Sequence, residues 1–232
     1  ENHKRDVEIN KLELIDLVVV NLYPFKKKIQ EECSWEDAIE NIDIGGPSMI
    51  RSAAKNHKDV SVLVDPSQYK FFLEENKKGK LSEEYKVKLA FEAFQHTADY
   101  DAAISNWISK EKNLLSSRHI ESLPIIRSLR YGENPHQKAF WYGLNNIGWN
   151  SAEQLQGKEL SYNNLLDLES ALATVLEFGY EDEEDHEKVP FAAVILKHNN
   201  PCGASISHSQ SSAFTNALKC DPVSAFGGIV AF

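Results

Sequence analysis

The sequence predicts an α/β protein of two domains, on three observations. Short apolar, β-branched runs at 15–22, 60–64 and 191–196 alternate with stretches of helical periodicity. The 232 residues exceed the roughly 100–150 of a common single domain. A change of composition over 113–121 divides them, which places one domain at 1–120 and a second at 121–232.

The elements follow in chain order. Residues 1–13 are polar, helical or loose. The run 15–22 reads as a strand stopped at Tyr23-Pro24. Ser34-Trp35-Glu36-Asp37 resembles a capping-box start, with Trp35, Ala38, Ile39 and Ile42 forming a short apolar face. Asp43-Ile44-Gly45-Gly46-Pro47 leads into a helix to Asn56, its proline favoured just inside the start. A strand at 60–64 precedes a helix opened by Asp65-Pro66-Ser67. Leu81, Tyr85, Leu89, Phe94, Tyr100, Ile104, Trp107 and Ile108 recur near a 3.6 period, as one long helix or two bridging toward the second domain.

In the second half, 123–129 is strand-like and Arg130-Tyr131-Gly132-Glu133-Asn134-Pro135-His136-Gln137 is a polar loop. Residues 162–178 form a helix, 180–188 an acidic surface loop, and 191–196 a buried strand that ends in Lys197-His198 and turns at Asn199-Asn200-Pro201. A helix over 211–219 and a final strand after Gly227-Gly228 complete the pattern.

A net charge of -10 without a basic stripe argues against a sequence-nonspecific nucleic-acid binder. No apolar run approaches the ~20 residues of a membrane span. Cys33, Cys202 and Cys220 are odd in number and far apart, which fits a reducing cytoplasm and no disulfide framework. His198 and Cys202 are four apart with no C-x-x-C nearby, so no zinc site is expected. Dinucleotide and Walker fingerprints are absent.

Three groups of residues carry chemistry, each with a structural reading beside the functional one. Lys197-His198 sets a cation and an imidazole where a strand ends, the place at which open α/β sheets bind ligands. A base near neutrality beside a cation suits attack by a weak amine; a hydrogen-bonded structural histidine is the other reading. Arg130-Tyr131 is either a clamp on a phosphate or heterocycle or an ordinary turn pair. Asp43 with Gly45-Gly46 and Lys55 is the third group, in which a helix N-terminus preceded by glycines can hold an anion. Lys55, more than two turns on, reaches a ligand along one helix face or is merely solvated.

Five segments together resemble one family, the bifunctional AICAR transformylase/IMP cyclohydrolase of late purine synthesis. They are Val18-Val19-Val20-Asn21-Leu22-Tyr23-Pro24-Phe25, Asp43-Ile44-Gly45-Gly46-Pro47-Ser48-Met49 with residues 51–56, residues 129–137, residues 196–203 and residues 221–228. The resemblance implies a methylglyoxal-synthase-like parallel-sheet domain, then part of a cytidine-deaminase-like α/β domain that works without zinc. It implies a homodimer acting on AICAR, FAICAR/IMP and the co-substrate 10-formyltetrahydrofolate. His198 would be the base of formyl transfer and Lys197 its electrostatic partner. Arg130, Tyr131 and the backbone at Gly227 would hold the nucleotide. Lys55 would transfer protons in cyclisation, with Asn21, Tyr23, Asp43 and the amide of Ile44 orienting base and ribose.

The family's pattern also has a segment with phosphate contacts before residue 1 and further contacts after 232. The expectation is therefore a piece of a longer enzyme, weak or inactive by itself. Two alternatives stand beside this reading: a non-catalytic nucleotide-binding or dimerisation fragment, and a zinc hydrolase of the deaminase type.

Overall fold

The computed structural model describes residues 2–144, 147–178 and 191–232. The acidic loop expected over 180–188 lies outside them. The chain forms two compact units, 1–122 and 123–232.

The first unit runs α1 (Asn2–Ile9), β1 (Leu17–Val19), α2 (Phe25–Gln30), α3 (Trp35–Glu40), α4 (Gly45–Lys55), β2 (Ser61–Leu63), α5 (Gln68–Lys77) and α6 (Glu83–Glu111). β1 and β2 pair in parallel, with Val18 opposite Val62. A parallel pair needs a crossover, which the helices between the strands supply. α4 buries Ile50, Ala53 and Ala54 against Val62 and Val64 of the β2 segment and against Ala90 and Ala93 of α6. The alanines on both helices keep side-chain bulk out of that contact.

The periodic stretch is one helix, not two. α6 starts where the Ser82 hydroxyl accepts from the Tyr85 amide at 3.2 Å, with Glu83 and Glu84 in its first turn. It packs on α2, α4 and β2, within the first unit. Ser34 caps α3, accepting from the Asp37 amide at 3.0 Å.

On α6, Asp99 receives Lys26 Nζ at 2.6 Å on both carboxylate oxygens. Burial acts to raise the Asp99 pKa, but hydrogen bonds from Lys26 and Ser122 and the Lys26 charge outweigh it, so the net shift is downward. A depressed carboxylate adds stability above its unfolded value of about 3.9 and loses it as pH falls through the lower folded value. Asp99→Asn is therefore expected to flatten the acid-side fall in Tm below about pH 4. Salt should shrink the difference, because Lys26 and Asp99 are 53% and 37% exposed.

The second unit contains β3 (Ile125–Ser128), β4 (Phe140–Tyr142), α7 (Tyr162–Leu176), β5 (Phe191–Lys197), β6 (Asn200–Ser207), α8 (Gln210–Cys220) and β7 (Ile229–Ala231). β3 and β4 pair antiparallel, and a second antiparallel sheet has the order β6-β5-β7. β5 is central and covered on both faces. Val194 and Leu196 pack on Ala171 of α7, while Ala193 and Ile195 pack on Ala213 and Ala217 of α8. That explains a continuous apolar run where a one-faced strand would alternate.

The turn after β5 differs from the sequence expectation. Lys197 pairs with Asn200, so the loop is His198-Asn199, and the chain re-enters the sheet through Asn200-Pro201. Both loop residues have positive φ, 52° and 61°, as a primed two-residue hairpin requires. Pro201 is tolerated because β6 is an edge strand and the register is irregular there. Lys197-His198 thus stands at an antiparallel hairpin tip, not at the mouth of a parallel sheet.

Candidate active sites

In the first unit, Asn21 and Tyr23 follow β1, and Asp43 and Ile44 precede α4. All four line one cleft of about 640 Å³, together with Gly45 and Gly46. Its floor is organised by Asp43. One carboxylate oxygen accepts from the Gly46 amide at 2.7 Å and the other from the Tyr23 amide at 3.4 Å. The Asp43 amide donates to the Tyr100 hydroxyl at 2.9 Å, and that hydroxyl donates to the Asn41 carbonyl at 3.3 Å. Burial is the main cause that pushes the Tyr100 phenol up, so it keeps its proton at neutral pH. Asn21 Nδ2 donates to the Tyr69 hydroxyl at 3.1 Å.

Asp43 thus ties down the first turn of α4 as well as lining the cleft, and Gly46 is needed beside it. A Cβ at Gly46 would lie 2.7 Å from Asp43 Oδ2 and 2.6 Å from Leu22 Cδ2. Asp43→Ala should cost about 1–2 kcal/mol in chemical denaturation, whereas Asp43→Asn keeps an oxygen for the Gly46 amide and should cost less. Lys55 is the last residue of α4 and exposed, about 15 Å of helical rise from Gly45, and is not among the cleft-lining residues. At that end its charge complements the helix dipole.

In the second unit, a cleft of about 890 Å³ is lined by residues including Arg127, Arg130, Trp141, Lys158, Asn164 and Gly228. The Arg130-Tyr131 backbone is stitched to the start of α7: the Arg130 amide donates to the Leu160 carbonyl at 2.9 Å and the Tyr162 amide to the Tyr131 carbonyl at 3.0 Å. The Arg130 guanidinium lies 4.8 Å from the centre of the Tyr131 ring and donates to its hydroxyl at 3.2 Å. That contact holds the cation without neutralising it, so it can still pair with an anion.

Lys197 Nζ donates to the Phe226 carbonyl at 2.9 Å. Phe226 precedes Gly227, whose φ of 74° suits glycine, and Gly228, which lines the cleft. A Cβ at Gly228 would lie 2.6 Å from the Leu196 carbonyl, which explains the glycine there. Asp221 supports this turn: its carboxylate accepts from the Ser224 amide at 3.0 Å, and those Ser224 bonds hold its pKa below the usual value. Lys197 is half-buried and His198 exposed, and neither is among the cleft-lining residues. The structure therefore links Lys197, Gly227 and the Arg130 cleft through residues 226–228 and leaves His198 at the hairpin tip. Sequence reading missed three contributors: Tyr100, the Phe226 carbonyl, and Asp167, whose carboxylate accepts from the Asn199 amide at 2.8 Å. Each acts across a long sequence separation that leaves no local signal.

Among the described residues, no three His, Cys, Asp or Glu side chains gather as metal ligands. No helix among them is long and apolar enough to cross a membrane.

A family model described as AICARFT/IMPCHase bienzyme matches residues 53–232, well over half of the chain. The chain belongs to this bienzyme family. An MGS-like domain model matches residues 3–48. The chain is 78% identical over all 232 residues to the bifunctional purine biosynthesis protein PurH of Prochlorococcus marinus strain MIT 9301. It is 57% identical over 231 residues to the PurH of strain MIT 9211. In both comparisons it spans 45% of the relative's length. The crystal structure of ForH is 29% identical, with a TM-score of 0.39 over 47% of this chain and 58% of that one.

Proposed function

We propose that this chain supplies parts of two sites of late purine synthesis, one for cyclisation and one for formyl transfer. The observation that carries the proposal is the gathering of Asn21, Tyr23, Asp43 and Ile44 in one cleft at the start of α4. Residues far apart in sequence converge there, beside backbone amides able to meet an oxygen-rich ligand.

In cyclisation of FAICAR, the carboxamide nitrogen bonds to the formyl carbon and water leaves, giving IMP. The step is intramolecular, so holding the two groups in line does much of the work. Asn21, Tyr23, Asp43 and the Ile44 amide would provide that hold. Proton transfer by Lys55 rests on the family resemblance alone, and Lys55→Ala would slow cyclisation and spare formyl transfer.

In formyl transfer, the 5-amino nitrogen of AICAR bonds to the formyl carbon of 10-formyltetrahydrofolate, and that carbon's bond to the folate nitrogen breaks. The amine is a weak nucleophile, so its proton must leave as the bond forms. His198 takes that proton, which ends on the departing folate nitrogen. Lys197 stabilises the oxyanion or assists that protonation. Arg130, which lines the larger cleft, and Tyr131, packed against its guanidinium, hold the nucleotide, with the Gly227 backbone close by. A homodimer and a cytoplasmic location belong to the same proposal, on the family resemblance and the cysteine usage.

The test is steady-state formyl transfer in the full-length protein with Lys197→Ala. A fall of about 10²-fold or more, with cyclisation of supplied FAICAR intact, supports the assignment. Equal loss of both activities contradicts it.

A further inference from the structure

His198 and Asn199 both occupy the left-handed region without being glycine, at φ 52° and 61°. Such residues cost on the order of 1–3 kcal/mol and persist where their surroundings over-determine them. Here the anchoring comes from α7. The Asn199 amide N–H donates to Asp167 Oδ1 at 2.8 Å. With the Asn199 side chain oriented to give its nitrogen two acceptors, that nitrogen donates to the same Asp167 oxygen at 3.1 Å and to the Leu166 carbonyl at 3.2 Å. A further bond closes the loop on itself, from Asn200 Nδ2 to the His198 carbonyl at 2.8 Å.

Asp167 is half-buried in the second turn of α7. Ala171, four residues on and so on the same helix face, packs under Val194 and Leu196 of β5. The contact that seats α7 on β5 therefore also delivers the Asp167 carboxylate to the hairpin that β5 feeds.

We infer that Asp167 is a positioning residue for formyl transfer: by gripping Asn199 it fixes the hairpin conformation that sets where the His198 imidazole stands. The inference rests on the assignment of His198 as the base. It makes no new chemical step, since Asp167 touches Asn199 and not the reacting atoms.

The experiment is steady-state kinetics of both half-reactions in the full-length protein. Asp167→Ala should lower kcat of formyl transfer by about 10- to 100-fold, with KM for AICAR within about twofold and cyclisation unchanged. Asp167→Asn keeps an acceptor oxygen and should restore kcat to within about threefold of the parent. A merely structural role would lower stability and leave kcat per folded molecule unmoved. If Asp167→Ala does not fold, the double variant with Asn199→Gly replaces it, because glycine adopts the turn without strain; it should fold and show the same kcat defect. Parental kcat in whichever variant folds overturns the inference, and if His198→Asn is inactive in the same assay the His198 assignment survives. Full activity of His198→Asn overturns that assignment instead.

Discussion

His198→Asn in the full-length protein is expected to lower formyl transfer by about 10²- to 10⁴-fold, the range for loss of a general base. The choice of asparagine follows from the backbone. His198 is the first loop residue of a two-residue hairpin at φ 52°, and asparagine is favoured at such a position. The replacement should leave Tm unchanged or slightly higher, so lost turnover cannot be assigned to lost folding. Cyclisation should continue, because the cleft proposed for it is lined by Asn21, Tyr23, Asp43 and Ile44 in the other unit. Turnover within about threefold of the parent would remove the imidazole from the chemistry.

Gly203→Ala should have the largest effect on folding. Gly203 is buried on β6, and a Cβ there would overlap the backbone carbonyl oxygen of Ala217 on α8. Its carbonyl carbon would be only 2.9 Å away. No rotamer change relieves a clash with main chain, so α8 would have to lift from β6. The same helix covers Ala193 and Ile195 of β5, so lifting it opens the core of the second unit. Overpacking commonly costs about 1–3 kcal/mol, and a backbone clash should reach about 3 kcal/mol or more in chemical denaturation. A change below about 1 kcal/mol would show that β6 and α8 can separate cheaply.

Much of this architecture is written locally in the residues. β5 was legible because an apolar run covered on both faces is unbroken, and α6 because its buried positions keep the helical period from Tyr85 to Tyr100. The strand β6 was not legible. It opens on Asn200-Pro201 and carries Gly203 and Ser205, residues that read as turn and loop, and only its edge position makes them acceptable. β4 escaped for another reason: three aromatic residues, Phe140-Trp141-Tyr142, give too short a run to show alternation. The candidate sites divide in the same way. Asp43 with its glycines marks a helix start that any chain would show. Tyr100 beneath Asp43, and Asp167 beneath Asn199, are set by packing between elements and carry no neighbouring pattern.

Separation of the two chemistries between the two units is the central claim of the proposal. Its most direct test measures formyl transfer and FAICAR cyclisation side by side in His198→Asn and Asp43→Asn of the full-length protein. The expected result is a crossed loss, with the first variant deficient only in formyl transfer and the second only in cyclisation. If either variant loses both activities while remaining folded, or neither loses any, the assignment of one chemistry to each unit is wrong.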